Sequence, residues 1–131
     1  MQPNPVAAQR ILVVDDEDAI LFSLKSYFES YGYVVDCARE MEEAQAMLTQ
    51  IRYDVVIADM RLTGSHGAQG LEIIGQVKEQ CPWTSTILLS AHWTAEIEKE
   101  ARSRGVVAFL QKPMPLAELA QIVFGILGRA S

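Results

Sequence analysis

The chain has 131 residues, half of them hydrophobic, which suits one compact domain with its own core and not two. A formal net charge of −6 argues against general nucleic-acid affinity, and the acids are scattered instead of forming a tail. The two cysteines, Cys37 and Cys81, lack metal-type spacing, and no apolar stretch approaches the ~20 residues of a membrane span.

Met1 to Gln9 is polar and proline-punctuated, which reads as a flexible tail and not as a secretory leader. A cytoplasmic location is therefore expected. Ile11 to Val14 is continuously apolar, as a strand buried on both faces should be. From Asp18 to Tyr31 the period turns helical, with Ile20, Leu21, Leu24, Tyr27, Phe28 and Tyr31 on one side and Gly32 as the stop. Tyr33 to Ala38 reads as a second strand, and Glu40 to Ile51 as a helix with Ala44, Met47, Leu48 and Ile51 inward.

The alternation continues with a strand at Val55 to Ala58, a helix at Leu71 to Gln80 and a strand at Thr86 to Leu89. A helix at Thr94 to Arg104 is stopped by Gly105. Val106 to Leu110 is the fifth strand, and Pro115 to Leu127 the fifth helix, with Pro115 in its first turn. Strands alternating with helices of this length predict an α/β fold with a parallel sheet covered on both faces. The domain is expected over residues 10–128, with 129–131 as a short end.

In such a sheet all strands end on one edge, and ligands bind outside those carboxyl ends. Asp15 and Asp16 follow the first strand, Asp59 the third, Ser90 the fourth and Lys112 the fifth, so four distant segments should converge. Three carboxylates brought together repel one another, and a hard divalent cation such as magnesium relieves that. Asp59 stands alone at its strand end and suits a nucleophile, whereas Asp15 and Asp16 suit a metal pair. Lys112 supplies positive charge and Ser90 a hydroxyl toward a phosphoryl group.

These segments are Val13-Val14-Asp15-Asp16-Glu17, Asp59-Met60-Arg61-Leu62, Leu88-Leu89-Ser90-Ala91 and Phe109-Leu110-Gln111-Lys112-Pro113. With all four in order at strand ends, nearly the whole chain resembles a receiver domain of two-component response regulators. The resemblance implies the doubly wound, flavodoxin-like strand order 2-1-3-4-5, a (βα)5 domain. It also implies that Asp59 accepts a phosphoryl group from the phosphohistidine of a sensor kinase or phosphotransfer protein. Asp16, Asp59 and the Arg61 carbonyl would bind Mg2+, with Asp15 assisting. Ser90 would move toward the phosphoryl group and Phe109 inward behind it, and Lys112–Pro113 would be cis. Beyond slow self-hydrolysis of the acyl phosphate, no enzyme activity is implied.

Glu17 reads as a solvated acid at the start of the first helix, while His92 and Trp93 should lie near the site. The fourth helix is highly charged, with only Ala95, Ile97 and Ala101 to anchor it, and the fifth is apolar around more than one face. Together with the fifth strand they suggest an output surface for a downstream protein, an attached effector domain or a second copy. The family's usual proline four residues after the acceptor is Thr63 here, and the loop Thr63 to Gly70, containing His66, is longer by about three residues. Two rival functions compete with the receiver reading. An aspartyl-phosphate phosphohydrolase would want an acid where Arg61 stands. A non-phosphorylated interaction module should have lost one of Asp16, Asp59 or Lys112. Whether the domain works alone or inside a longer regulator stays open.

Overall fold

A computed structural model describes residues 8–60 and 69–128. Five strands and five helices alternate without exception: β1 (Arg10–Val14), α1 (Asp18–Glu29), β2 (Val34–Ala38), α2 (Met41–Gln50) and β3 (Val55–Asp59) come first. They are followed by α3 (Gln69–Gln80), β4 (Ser85–Ser90), α4 (Ala95–Ser103), β5 (Ala108–Gln111) and α5 (Leu116–Leu127). The strands form one sheet in the order β2-β1-β3-β4-β5, and every pairing is parallel. Architecture and strand order are those expected from the sequence.

Alternation along each strand divides the core in two. Ile11, Val13, Ile57, Ile87 and Leu89 face α1 and α5, where they meet Leu24, Phe28, Leu119, Val123 and Phe124. Leu12, Val14, Val56, Ala58 and Leu88 face the other way, against Ala44, Leu71, Ile73, Ile74 and Val77. All five residues of β3 are buried, so the sheet's central strand is clamped from both sides. That is the support on which Asp59 stands.

Element boundaries differ from expectation where local chemistry overrides period. α1 stops at Glu29, and Tyr31 sits past its end, 37% exposed, with its ring 4.9 Å from that of Phe124. Gly32, at φ 93°, then makes the turn into β2. β5 begins two residues late because Val107 turns outward, while Val106 remains buried. Pro115 caps α5 with extended ψ and stands before its first turn, not in it. α4 fully buries only Ala101, as its charged sequence implied. The surplus apolar residues of α5, Leu116, Ile122, Ile126 and Leu127, are half-buried against the α1-side core. Among the described residues no helix is long and apolar enough to cross a membrane.

The start of β1 and the end of α5 meet on the sheet edge opposite the strand carboxyl ends. There Gln9 Nε2 donates to the Leu127 carbonyl oxygen at 3.4 Å.

α3 approaches β3 so closely that position 70, in its first turn, has no room for a side chain. A Cβ built on Gly70 would lie 2.3 Å from the Asp59 carbonyl oxygen and 2.7 Å from Met60 Cα, both backbone atoms that cannot step aside. Gly70 N–H also donates to the Met60 carbonyl oxygen at 3.0 Å. Helix propensity alone would favour alanine over glycine by about 1 kcal/mol. The overlap should reverse that sign. Gly70→Ala is expected to destabilise the fold by about 1–3 kcal/mol in urea denaturation, against the propensity gain.

Candidate functional site

Hydrogen bonds that extend the parallel ladders carry the chain past the ends of β1, β3 and β5. Asp15 N–H donates to the Ala38 carbonyl at 3.0 Å, Met60 N–H to that of Leu89 at 2.8 Å, and Lys112 N–H to that of Ser90 at 2.7 Å. The side chains just inside or beyond these ends therefore stand on fixed backbone. Asp15 is 1% exposed and Asp59 8%, unusual burial for aspartates.

Lys112 resolves the electrostatic problem they create. Its Nζ lies 3.0 Å from Asp15 Oδ2 and 3.0 Å from Asp59 Oδ1, and 3.8 Å from Glu17 Oε1. The other Asp15 oxygen, Oδ1, accepts from Glu17 N–H at 2.9 Å. The Lys112–Pro113 peptide bond is cis. Asp59, Ser90, His92, Ala91, Glu17 and Lys112 line a small cavity of about 130 Å³. The structure thus brings Asp15, Asp59, Ser90 and Lys112 to one edge. The Arg61 carbonyl and all but the end of the Thr63 to Gly70 loop, His66 included, lie outside the described residues.

Burial pushes the Asp59 carboxyl above its ordinary value; Lys112 pulls it down, and Asp15 and Asp16 push it up again, leaving a net rise. Burial opposes the Lys112 ammonium, but its hydrogen bonds to Asp59 and Asp15 prevail and raise its pKa. One lysine thus faces several carboxylates. Oxygens of Asp15, Asp16 and Glu17 lie within 4.8 Å of one another. Hard oxygen donors with surplus negative charge are what a divalent cation of the magnesium type requires.

Ser90 Oγ is turned to its own loop, donating to the His92 carbonyl at 2.6 Å and accepting from His92 N–H at 3.1 Å. Phe109 is buried in the core cluster that also holds Ala101 and Val106 and against which Ile97 packs. His92 lies at the cavity, as its position beside Ser90 suggested. Trp93 does not line it: its indole N–H donates to Glu98 Oε1 at 2.7 Å, and half of the residue is exposed. Two contacts had no signal in the sequence. Glu17 reaches toward Lys112, and a groove of about 530 Å³ between α1 and α5 opens beside the site, lined by Ile20, Leu24, Met114, Leu116 and Leu119.

The family model for the response regulator receiver domain matches residues 11–124. A curated relative, the alginate biosynthesis transcriptional regulatory protein AlgB of Pseudomonas aeruginosa, is 35% identical over 104 residues. That match takes in 79% of this chain but only 22% of AlgB, so the chain spans about a fifth of that relative's length. Among solved structures, a CheY-like receiver domain protein from Methanospirillum hungatei superimposes with a TM-score of 0.86 at 24% identity, over 93% of this chain and 95% of that one. The beryllofluoride-activated NtrC4 receiver domain dimer gives 0.81 at 28% identity, over 89% and 94%.

Two stability measurements test the electrostatics. Because folding raises the Asp59 pKa, the protonated form is the one the fold favours. No stability is lost to Asp59 below the ordinary aspartate range, and a cost appears as pH rises through the raised value. Asp59→Asn should therefore be more stable than the parent in urea at neutral pH, with the difference closing as the solution is acidified. Lys112→Ala strands two buried carboxylates and should cost about 3 kcal/mol at neutral pH. Adding Asp59→Asn to Lys112→Ala should recover part of that loss.

Proposed function

The chain belongs to the response regulator receiver domain family, the phosphorylatable modules of two-component signalling, and we propose that Asp59 is its phosphoryl acceptor. The observation that carries this reading is the Lys112 ammonium held 3.0 Å from both Asp59 and Asp15 in a strand-end cavity. Asp59 attacks the phosphorus of a phosphohistidine on a sensor kinase or phosphotransfer protein; the P–N bond breaks as the acyl phosphate forms. Lys112 then pairs with the phosphoryl oxygens, which replace the carboxylate oxygen it now holds.

Asp16 and Asp59, with Asp15 behind them and the Arg61 carbonyl, are the residues that would hold Mg2+. When bound, that ion neutralises charge on the transferring group. Ser90 donates its hydroxyl to a phosphoryl oxygen once it leaves His92, and Phe109 follows it inward. Water hydrolyses the acyl phosphate slowly and resets the domain, and no other catalysis is assigned. The groove between α1 and α5 meets the acceptor cavity at Glu17, Ala91 and Lys112, which supports docking of the phosphodonor protein there. Output runs through α4, β5 and α5, where a charged, lightly anchored helix adjoins an apolar one.

Incubation with acetyl phosphate and magnesium, read by intact mass, tests the assignment. One phosphoryl group should be added, none should be added without magnesium, and none to Asp59→Asn. Lys112→Ala should accept the group far more slowly, or lose the resting-to-phosphorylated change in amide exchange. A stable adduct on Asp59→Asn would sink the assignment.

A further inference from the structure

The loop joining β4 to α4 is closed on itself by side chains. Ser90 Oγ exchanges two hydrogen bonds with the His92 backbone. Thr94 Oγ1 accepts from Ile97 N–H at 3.1 Å, capping α4. Between these anchors, Trp93 Nε1 donates to Glu98 Oε1 at 2.7 Å, and Arg102 Nε holds Glu98 Oε2 at 3.2 Å. The indole bond and then Arg102 draw the Glu98 carboxyl below its usual range, so the acceptor is charged at neutral pH.

The hydroxyl of Ser90 has a single proton. While it is given to the His92 carbonyl, it cannot be given to a phosphoryl oxygen on Asp59, although both residues line one cavity. Moving Ser90 therefore requires the His92 carbonyl to give up its donor. Trp93 is the next residue, and fixing its side chain to α4 holds that carbonyl within reach of Ser90. α4 fully buries only Ala101, so the loop's own bonds carry much of the restraint.

We propose that Trp93 and Glu98 are positioning residues forming a latch, which holds the β4–α4 loop in its resting arrangement and opposes occupation of the acceptor site. The proposal rests on the reading of Asp59 as acceptor and Ser90 as hydroxyl donor. It assigns Trp93 a role through Ser90, not in contact with the phosphoryl group.

Beryllofluoride with magnesium, added to the full chain, stands in for the phosphoryl group, and its affinity is read by calorimetry. Trp93→Phe keeps a ring but removes the N–H, and Glu98→Ala removes the acceptor. Each should bind beryllofluoride about 3- to 10-fold tighter, since a resting state held less firmly competes less. The double variant should be no tighter than the tighter single, because Trp93→Phe cuts a bond that Glu98→Ala already removes along with the Arg102 contact. Amide exchange over residues 91–94 should be faster in both unliganded singles. Ser103→Ala, which loses only hydrogen bonding within α4, to the Glu100 carbonyl and carboxylate, should bind as the parent does. Unchanged or weaker binding by Trp93→Phe and Glu98→Ala, or equal tightening by Ser103→Ala, makes the contact helix support and overturns the latch. A parent chain that binds no beryllofluoride overturns the acceptor reading, and the latch falls with it.

Discussion

Carboxylates buried at neighbouring strand ends repel each other, and removing either from water costs several kcal/mol unless a cation comes with it. Asp15 and Asp59 end adjacent strands, and Lys112 supplies the cation from β5, reaching across the end of β4. The bond from Lys112 N–H to the Ser90 carbonyl fixes where that reach begins. The same ammonium thus stabilises the acids, ties the outer strand to the centre of the sheet and sets the polarity of the cavity. It does not neutralise the acids completely: burial first, and then the nearby Asp15 and Asp16, hold the Asp59 pKa above its ordinary value despite Lys112. That residual negative charge favours a divalent cation, and on the proposed reading the cation and Lys112 together then offset the charge of a phosphoryl group.

The two halves of the site are built to different stiffness. Asp59 ends a strand whose every residue is buried, and Gly70 lets α3 press directly against its backbone. Ser90 also ends a buried strand, but an exposed loop leads from it into a helix with one fully buried residue. On the proposed reading, the reaction centre stands on the rigid side and the reporter on the yielding side, a division of work that suits a switch. Chemistry at Asp59, so read, need not deform the core to be felt at α4.

Most of this was legible in the sequence because period and strand-end placement are local signals. Ile11 to Val14 and Val55 to Ala58 announce buried strands through unbroken apolar runs, and the parallel sheet then forces Asp15, Asp59, Ser90 and Lys112 together. The features that escaped depended on side-chain direction or close approach. Trp93 comes soon after Ser90, yet its indole turns to Glu98, a choice set by one hydrogen bond five residues on. Gly70 reads as a loop glycine, and only the proximity of the Asp59 carbonyl explains why a side chain is excluded. Pro115 looked suited to a helical turn but caps one, since its ψ of 141° is extended and not helical. Tyr31 keeps the helical period beyond the helix itself, because its ring still packs on Phe124.

The hydrogen bond from Gln9 to Leu127 places the entrance and exit of the domain side by side, on the edge remote from Asp59. A unit with that geometry is portable: it can be spliced ahead of, behind or within another chain, like a plug whose two leads leave one corner. Neighbouring sequence could then vary freely in length without straining the sheet or crowding Asp59. Any tension or torsion that such neighbours feel would enter through β1 and α5 together, the first supplying Ile11 and Val13 to the α1-side core and the second lining the groove with Leu116 and Leu119.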